Sequence, residues 1–481
     1  MRTTAFHFPV QGKRPEEVLR EISRKRTEDF GWKDGKMFGF VYYPGDEIAE
    51  ILENVFRLYM HDNTLNPTMF CSVRAMENEL VAMVGDLLHG SRDTTGSVTS
   101  GGTESILMAM KVARDRKREE MPGITPEVIV PTTAHPAFDK AAHYLDMKLL
   151  HAPVDQDFRV DVTKMESLVT RRTAMLVGSA PCFPYGVVDP IAGIAGLARQ
   201  HGLLCHVDAC MGGLMLPFLE KLGYPVTPFD FRVKGVTSIS ADMHKYGYAA
   251  KGVSLILYRD PELRKRQFFI TTEWPGGIFA SNSLLGSKSG GPVAAAWTVV
   301  KLMGLKGYMA NAAAVMNAVK KIQEGIRETG GLDIAGHPEM SVFAVKSDRY
   351  DIHAIGDELA KRGWFVDRLQ YPACIHLTVN SLQVGKEEDF LDDLGDAVAA
   401  VKSQNHASPV NRLIIAAVTG LSGLLPEKLF GKLMDSASRL IPAGDNSSGH
   451  RALYGISTNI KNRHNLKEMI TCIYDKIYRA R

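Results

Sequence analysis

The sequence is poor in cysteine, and what cysteine it has shows no pairing pattern. Its six cysteines, at positions 71, 182, 205, 210, 374 and 472, show no CxxC spacing and have no His cluster beside them. That argues against a zinc site, another metal site or a disulfide framework, and for a reducing compartment. Charge of one sign is lacking too: 57 basic and 54 acidic residues leave a formal net charge of +3. The basic residues are scattered, and the run Arg114-Asp-Arg-Lys-Arg118 includes an acid, so it reads as a solvated face and nothing asks for nucleic acid. Long hydrophobic runs are also missing. The first residues have no secretory apolar region, and the longest apolar patch, Leu413 to Leu425, contains two glycines. It is too short and mild for a transmembrane segment. A soluble cytoplasmic protein is expected.

What is present is ordinary globular composition, 45% hydrophobic and 23% charged, in a chain long enough for about two or three domains. Residues 1–60 read as an N-terminal extension, with a charged helix near 15–28, a Gly-rich loop from Gly31 to Gly45 and an amphipathic helix from Glu47. Residues 61–325 alternate helices with short apolar strands, at Val128–Val130, Ala174–Val177, Leu203–Val207, Val236–Ser240 and Val253–Tyr258. That alternation predicts a mostly parallel α/β sheet. Residues 326–481 read as a smaller α+β C-terminal domain, with strands near 341–346 and 374–380 and helices at 351–362 and 386–402. A polar loop at 442–452 and a terminal helix near 464–478 complete the reading.

Ligands of open α/β sheets gather at the carboxyl ends of the strands. Asp208, His135, Ser179 and Lys245 all fall just after predicted strand ends. Each alone reads equally as a turn or cap residue; together they describe a pocket with one acid, one imidazole, one hydroxyl and one amine. Lys245 lies in the run Ser240-Ala-Asp-Met-His-Lys-Tyr-Gly-Tyr-Ala-Ala-Lys251-Gly, between two apolar strands. Burying an ammonium there is costly, so the amine is expected to be depressed in pKa or covalently engaged. The run Thr99-Ser-Gly-Gly-Thr-Glu-Ser105 opens a helix. Gly101, Gly102 and Thr103 would offer free N–H groups and a helix dipole to a phosphate, although a plain N-cap also fits. The spacing is neither a Walker loop nor a dinucleotide fingerprint. These parts suit pyridoxal phosphate (PLP): the helix start would hold its phosphate and Asp208 would keep its ring nitrogen protonated. His135 would stack on the ring and Lys245 would form the internal aldimine.

The lysine run resembles that of the sphingosine-1-phosphate lyases, within the PLP fold-type-I group that also holds the group II amino-acid decarboxylases. Further segments share the resemblance: Gly178 to Pro190, His206 to Gly213, Glu273 to Ser281, Gly286 to Gly291 and Gly363 to Gln370. It covers roughly residues 30–425. The resemblance implies a PLP-dependent transferase-like fold with a seven-stranded, mostly parallel sheet. It implies retro-aldol cleavage of a phosphorylated long-chain base, in sphingolipid metabolism, to a long-chain aldehyde and phosphoethanolamine. It also implies a homodimer with shared active sites. By the same resemblance Lys251 and Tyr42 would meet the substrate phosphate, and His244 would stack or assist proton transfer. Tyr185 and Ser287 are positional carry-overs to the substrate and cofactor. Asn66 stands where many lyases carry His; it can donate to a phosphate but cannot carry charge. The alternative is a group II amino-acid decarboxylase, which would share Lys245, Asp208 and His135 without needing Lys251.

Overall fold

A computed structural model of the chain describes residues 7–403 and seven helical positions between 467 and 478. The loop expected at 442–452 and the apolar patch at 413–425 lie outside the described residues, as does most of the terminal helix. Three helices come first: α1 (Pro15–Arg26), α2 (Asp46–Tyr59) and α3 (Cys71–Leu87). Strands and helices then alternate through β1 (Thr95–Thr99), α4 (Gly102–Glu120), β2 (Glu127–Pro131), α5 (Ala137–Leu145) and β3 (Lys148–Ala152). They continue through α6 (Val162–Ser167), β4 (Thr173–Ser179), α7 (Ile191–Gln200), β5 (Leu204–Asp208), α8 (Leu216–Lys221) and β6 (Ser238–Ala241). β7 (Ser254–Tyr258) follows with no helix between, then α9 (Pro261–Lys265), the hairpin β8 (Phe269–Thr271) and β9 (Phe279–Ser281), and the long α10 (Gly291–Glu328). The C-terminal part holds β10 (Asp333–Ile334), β11 (Val342–Lys346), α11 (Ile352–Lys361), β12 (Asp367–Gln370), β13 (Ala373–Thr378) and α12 (Glu387–Ser403).

The large sheet has seven strands in the order β1-β7-β6-β5-β4-β2-β3. Only β7 runs against its neighbours, pairing antiparallel with both β1 and β6. The central strands β2, β4, β5 and β7 are buried at every position, because helices cover both faces of a parallel sheet and both sides of each strand must then be apolar or satisfied. One face packs on α4 and α5, where Ile106, Met110, Ala113, Phe138 and Ala141 meet Val128, Val130, Met175 and Val177. α10 breaks at Gly304, whose backbone (φ 55°, ψ −178°) lies outside the helical region, a conformation available at low cost only to glycine. It packs against α2, α3 and α8.

The chain divides into two compact units. The larger, residues 38–346 with 376–388, contains the seven-stranded sheet. In the smaller, which includes 347–375 and 389–403, Trp364 is buried, meets Phe390 edge-on at 5.1 Å and donates from Nε1 to Asp393 Oδ2 at 2.7 Å. Strands β10 to β13 make the smaller, C-terminal sheet. No helix among the described residues is long and apolar enough to cross a membrane.

Candidate active site

The register of the parallel strands puts three polar residues in one row. Ser179, ending β4, lies beside Asp208, ending β5, and Asp208 lies beside Ser240 of β6. Partners in register point to the same face of a sheet, so the three side chains share one side of its carboxyl edge. Asp208 is 7% exposed. Its Oδ1 accepts from the Cys210 N–H and from Ser240 Oγ, both at 3.1 Å. Two residues back on the same face, the buried His206 meets Ser238 Oγ through Nδ1 at 2.9 Å and Ser240 Oγ through Nε2 at 3.4 Å. Burial pushes its pKa down to about 4 against the raising effect of Asp208, so it is a neutral prop for Ser240 and, through it, for Asp208. His206 and Ser240 were missed as functional residues. The available signal was the period-two polar pattern in Cys-His-Val-Asp and Ser-Ile-Ser.

β6 runs directly into the lysine turn. Lys245 Nζ lies 3.0 Å from Asp242 Oδ2, an ion pair with a carboxylate that is almost wholly buried. Burial alone would depress the amine, but Asp242, Cys210 and Asp208 outweigh it and hold the pKa above the ordinary lysine value. The expectation of a depressed amine is therefore corrected for the free side chain: the acid three residues earlier in the same run supplies the compensating charge. His244 Nε2 is 3.7 Å from the same Asp242 oxygen, and its Nδ1 accepts from the Val253 N–H at 3.3 Å. Its pKa is lowered, chiefly by burial. His135, on the turn after β2, accepts the Ala137 N–H at Nδ1 (3.1 Å). Burial lowers its pKa, while Asp208 and Asp242 raise it and Lys245 lowers it; those charges reach it because the turn opens onto the same pocket.

Lys251 returns to this turn. Its Nζ donates to the His244 carbonyl at 3.0 Å and sits 5.0 Å from the centre of the Tyr42 ring. Tyr42 in turn meets Tyr246 edge-on at 5.0 Å. Desolvation and the nearby Lys245 ammonium pull the Lys251 pKa down to about 8, against Asp242. Hydroxyl bonds from distant residues brace the turn. Tyr246 donates to the Val379 carbonyl at 2.9 Å, and Tyr308 to the Gly247 carbonyl at 2.8 Å. Tyr248 is buried and held at φ 56°. The segment just after Val379 grips the Tyr42 stretch: Ser381 Oγ donates to the Tyr43 carbonyl at 2.7 Å and Asn380 Nδ2 to that of Val41 at 3.3 Å.

The Gly101–Gly102 turn completes the pocket. A Cβ on Gly102 would stand 2.8 Å from Cys210 Sγ and 2.9 Å from both Asp242 carboxylate oxygens, so no larger residue fits. Thr103 follows, half-buried, in the first turn of α4. Glu104 ties this start down, accepting from the Ser100 N–H and Oγ at 2.6 Å each and from the Leu284 N–H at 2.7 Å.

Three expected residues stand apart from this cluster. Asn66 is exposed, and its Oδ1 is taken by the Thr68 N–H, the Thr68 hydroxyl and the Met69 N–H. Ser287 is exposed and accepts from Asn63 Nδ2 at 2.9 Å. Tyr185 is buried and stacks on Phe158 at 3.8 Å.

A family model described as the pyridoxal-dependent decarboxylase conserved domain matches residues 30–346. Sheet, lysine turn and glycine turn thus fall in one class, the PLP-dependent decarboxylase fold, and the cofactor is PLP. The sphingosine-1-phosphate lyase of Dictyostelium discoideum is 40% identical over 411 residues, 85% of this chain and 77% of the relative. That of Arabidopsis thaliana is 42% identical over 422 residues, 86% and 76% of the two chains. The solved structure of a sphingosine-1-phosphate lyase from Burkholderia pseudomallei matches with a TM-score of 0.80 at 37% identity, covering 86% of this chain and 97% of that one. The chain therefore belongs to the pyridoxal-dependent decarboxylase family and, within it, to the sphingosine-1-phosphate lyases.

The residues fit the cofactor. Among the described residues, the buried Ser179 Oγ and Asp242 Oδ1 have no hydrogen-bond partner, as expected of groups that line a polar ligand site. A helix start with a pair of glycines suits an anion, and the Lys245 ammonium, paired with Asp242, lies at the same turn.

Proposed function

We propose that this enzyme cleaves phosphorylated sphingoid bases by a retro-aldol reaction, releasing a long-chain aldehyde and phosphoethanolamine. One observation carries the reading: a second amine, Lys251, hangs from the His244 carbonyl over the Tyr42 ring, beside the lysine turn. A decarboxylase needs one reactive lysine and one phosphate cradle. A lyase acting on a phosphorylated substrate needs a second anion receptor, and an ammonium over an aromatic face supplies it.

When bound, PLP supplies the electron sink for the carbon–carbon cleavage. Gly101, Gly102, Thr103, His244 and Ser287 are proposed to hold its phosphate, Asp208 and Ser179 its polar edge, and His135 its ring face. The Asp208 carboxylate would keep a proton on the ring nitrogen, steadied by Ser240 and His206. In the cleavage the carbinol O–H proton leaves, the bond to the amine-bearing carbon breaks as the aldehyde C=O forms, and that carbon then takes up a proton. Lys245 is proposed to anchor the cofactor and hand it to the substrate amine. Lys251, Tyr42 and Asn66 would bind the substrate phosphate, and Tyr185 would border the substrate. His244, with Nδ1 already occupied, serves as an orienting group.

A cytoplasmic homodimer with shared active sites is part of the proposal. Phe269, Trp274, Ile278 and Leu284 are all more than half exposed on and around the β8–β9 hairpin, and so large an apolar surface favours a protein partner. The hairpin leads into Ser287, which would then serve a neighbour's site. Incubation with phosphorylated dihydrosphingosine tests the function. Aldehyde and phosphoethanolamine in equal amounts are expected; no cleavage, with release of CO₂ from amino acids instead, would overturn it.

A further inference from the structure

Asp242 has no part in the scheme above, although it is the ionisable group closest to the reactive amine. Its carboxylate is almost wholly buried, with Oδ2 3.0 Å from Lys245 Nζ and Oδ1 without a hydrogen-bond partner among the described residues. Gly102 leaves room for it at the first turn of α4, where a Cβ would touch both carboxylate oxygens. A buried carboxylate with one idle oxygen is costly unless a cation stays beside it.

We propose that Asp242 is the counter-ion of Lys245 whenever that amine is free of the cofactor, keeping it an ammonium, so that Asp242 governs how readily the lysine rejoins the cofactor. Lys245 alternates between two conditions, joined to the cofactor aldehyde carbon and displaced by the substrate amine. To rejoin, the ammonium must first lose its proton; the neutral nitrogen then forms a C=N bond to the cofactor carbon, which releases the product amine during turnover or, when free PLP is captured, the aldehyde oxygen as water. With the proton held by Asp242, the displaced lysine does not compete with substrate at neutral pH. Other titratable groups face the amine: Asp208 and the Cys210 thiol from β5 and the turn after it, and His244 and Lys251 from its own loop. His135 faces it from the turn after β2. Asp208 is held by Ser240 and Cys210 N–H, which leaves Asp242 as the carboxylate in direct contact.

The test uses full-length enzyme stripped of cofactor, with PLP as the probe and growth of the yellow band that borohydride bleaches as the readout. It needs no lipid substrate, so failure of the lyase reading leaves it intact. In the wild type the capture rate is expected to keep rising to pH 10 without a plateau. In Asp242→Asn the profile moves down by at least one pH unit, and capture at pH 7 becomes at least tenfold faster, while turnover falls. A merely structural role for Asp242 would slow capture instead. Slower or unchanged capture in Asp242→Asn overturns the proposal. Should that variant fail to fold, the wild-type profile still decides, because a plateau below pH 9 contradicts a lysine held as ammonium by Asp242.

Discussion

The lysine turn and the two exposed loops at 63–69 and 286–289 were expected to serve the same pocket, yet they differ in almost every physical respect. At the lysine turn Asp242, Tyr246 and Tyr248 are buried, His244 and Lys245 half-buried and Lys251 exposed; the turn is cross-braced by residues more than a hundred positions away, and the titration of its side chains is bent by one another. In the loops, Asn66 caps its own turn and Ser287 bonds Asn63, both in the open. Within one chain the lysine turn is braced on several sides. The loop side carries the right residue types without the burial that makes a binding group effective, which is the pattern expected of a surface finished by a second copy.

The largest expected effect lies on the buried side. Lys245→Ala removes the amine, so activity should fall by roughly a thousandfold or more, and the yellow band that borohydride bleaches should vanish. Retention of that band, measured by absorbance, would place the cofactor attachment elsewhere.

Mixing sharpens the comparison next. Ser287→Asp, which sets a negative charge against the cofactor phosphate, should be inactive alone, as is Lys245→Ala. Refolded together, they should recover about a quarter of wild-type activity, because half the dimers are mixed and each mixed dimer has one intact site. No recovery would mean that the loops serve their own chain.

A smaller effect tests the brace. Ser381→Ala deletes the hydroxyl that grips the Tyr42 stretch at the Tyr43 carbonyl, and should cost about 1 kcal/mol of stability and a few-fold in kcat/KM. Ser381→Thr should restore both. Denaturation midpoints and steady-state kinetics check this, and an unchanged KM for phosphorylated substrate would show that the brace does not set the Tyr42 position.

Much of this was legible in the residue order. The strands covered on both faces announce themselves as apolar runs, and Asp208, Ser179, His135 and Lys245 were found because each follows such a run. β1, Thr-Gly-Ser-Val-Thr, and β3, Lys-Leu-Leu-His-Ala, were not read as strands. Polar residues and an edge position hide the apolar pattern there. Asp242 sat in plain view three residues before Lys245, but its meaning depends on a turn that brings the two within contact, and the direction of the lysine's pKa depends on that contact. His206 and Ser240 depend on strand register, which a single sequence does not display. The loop side was read by resemblance alone, and its geometry within one chain offers nothing comparable to the lysine turn.

The central claim is that Lys251 makes this a lyase of phosphorylated substrates, and the most direct measurement is the cleavage of dihydrosphingosine with and without its phosphate. A base with its pKa lowered to about 8 is charged below that pH and neutral above it, so its pull on a phosphate is present at pH 7 and lost as pH rises through 8. In the wild type, kcat/KM should favour the phosphorylated substrate by roughly a hundredfold or more at pH 7 and decline above pH 8 as KM rises. In Lys251→Ala that preference should collapse and the pH dependence of KM above 8 should disappear. A Lys251→Ala enzyme that keeps both the preference and the pH dependence would contradict the account.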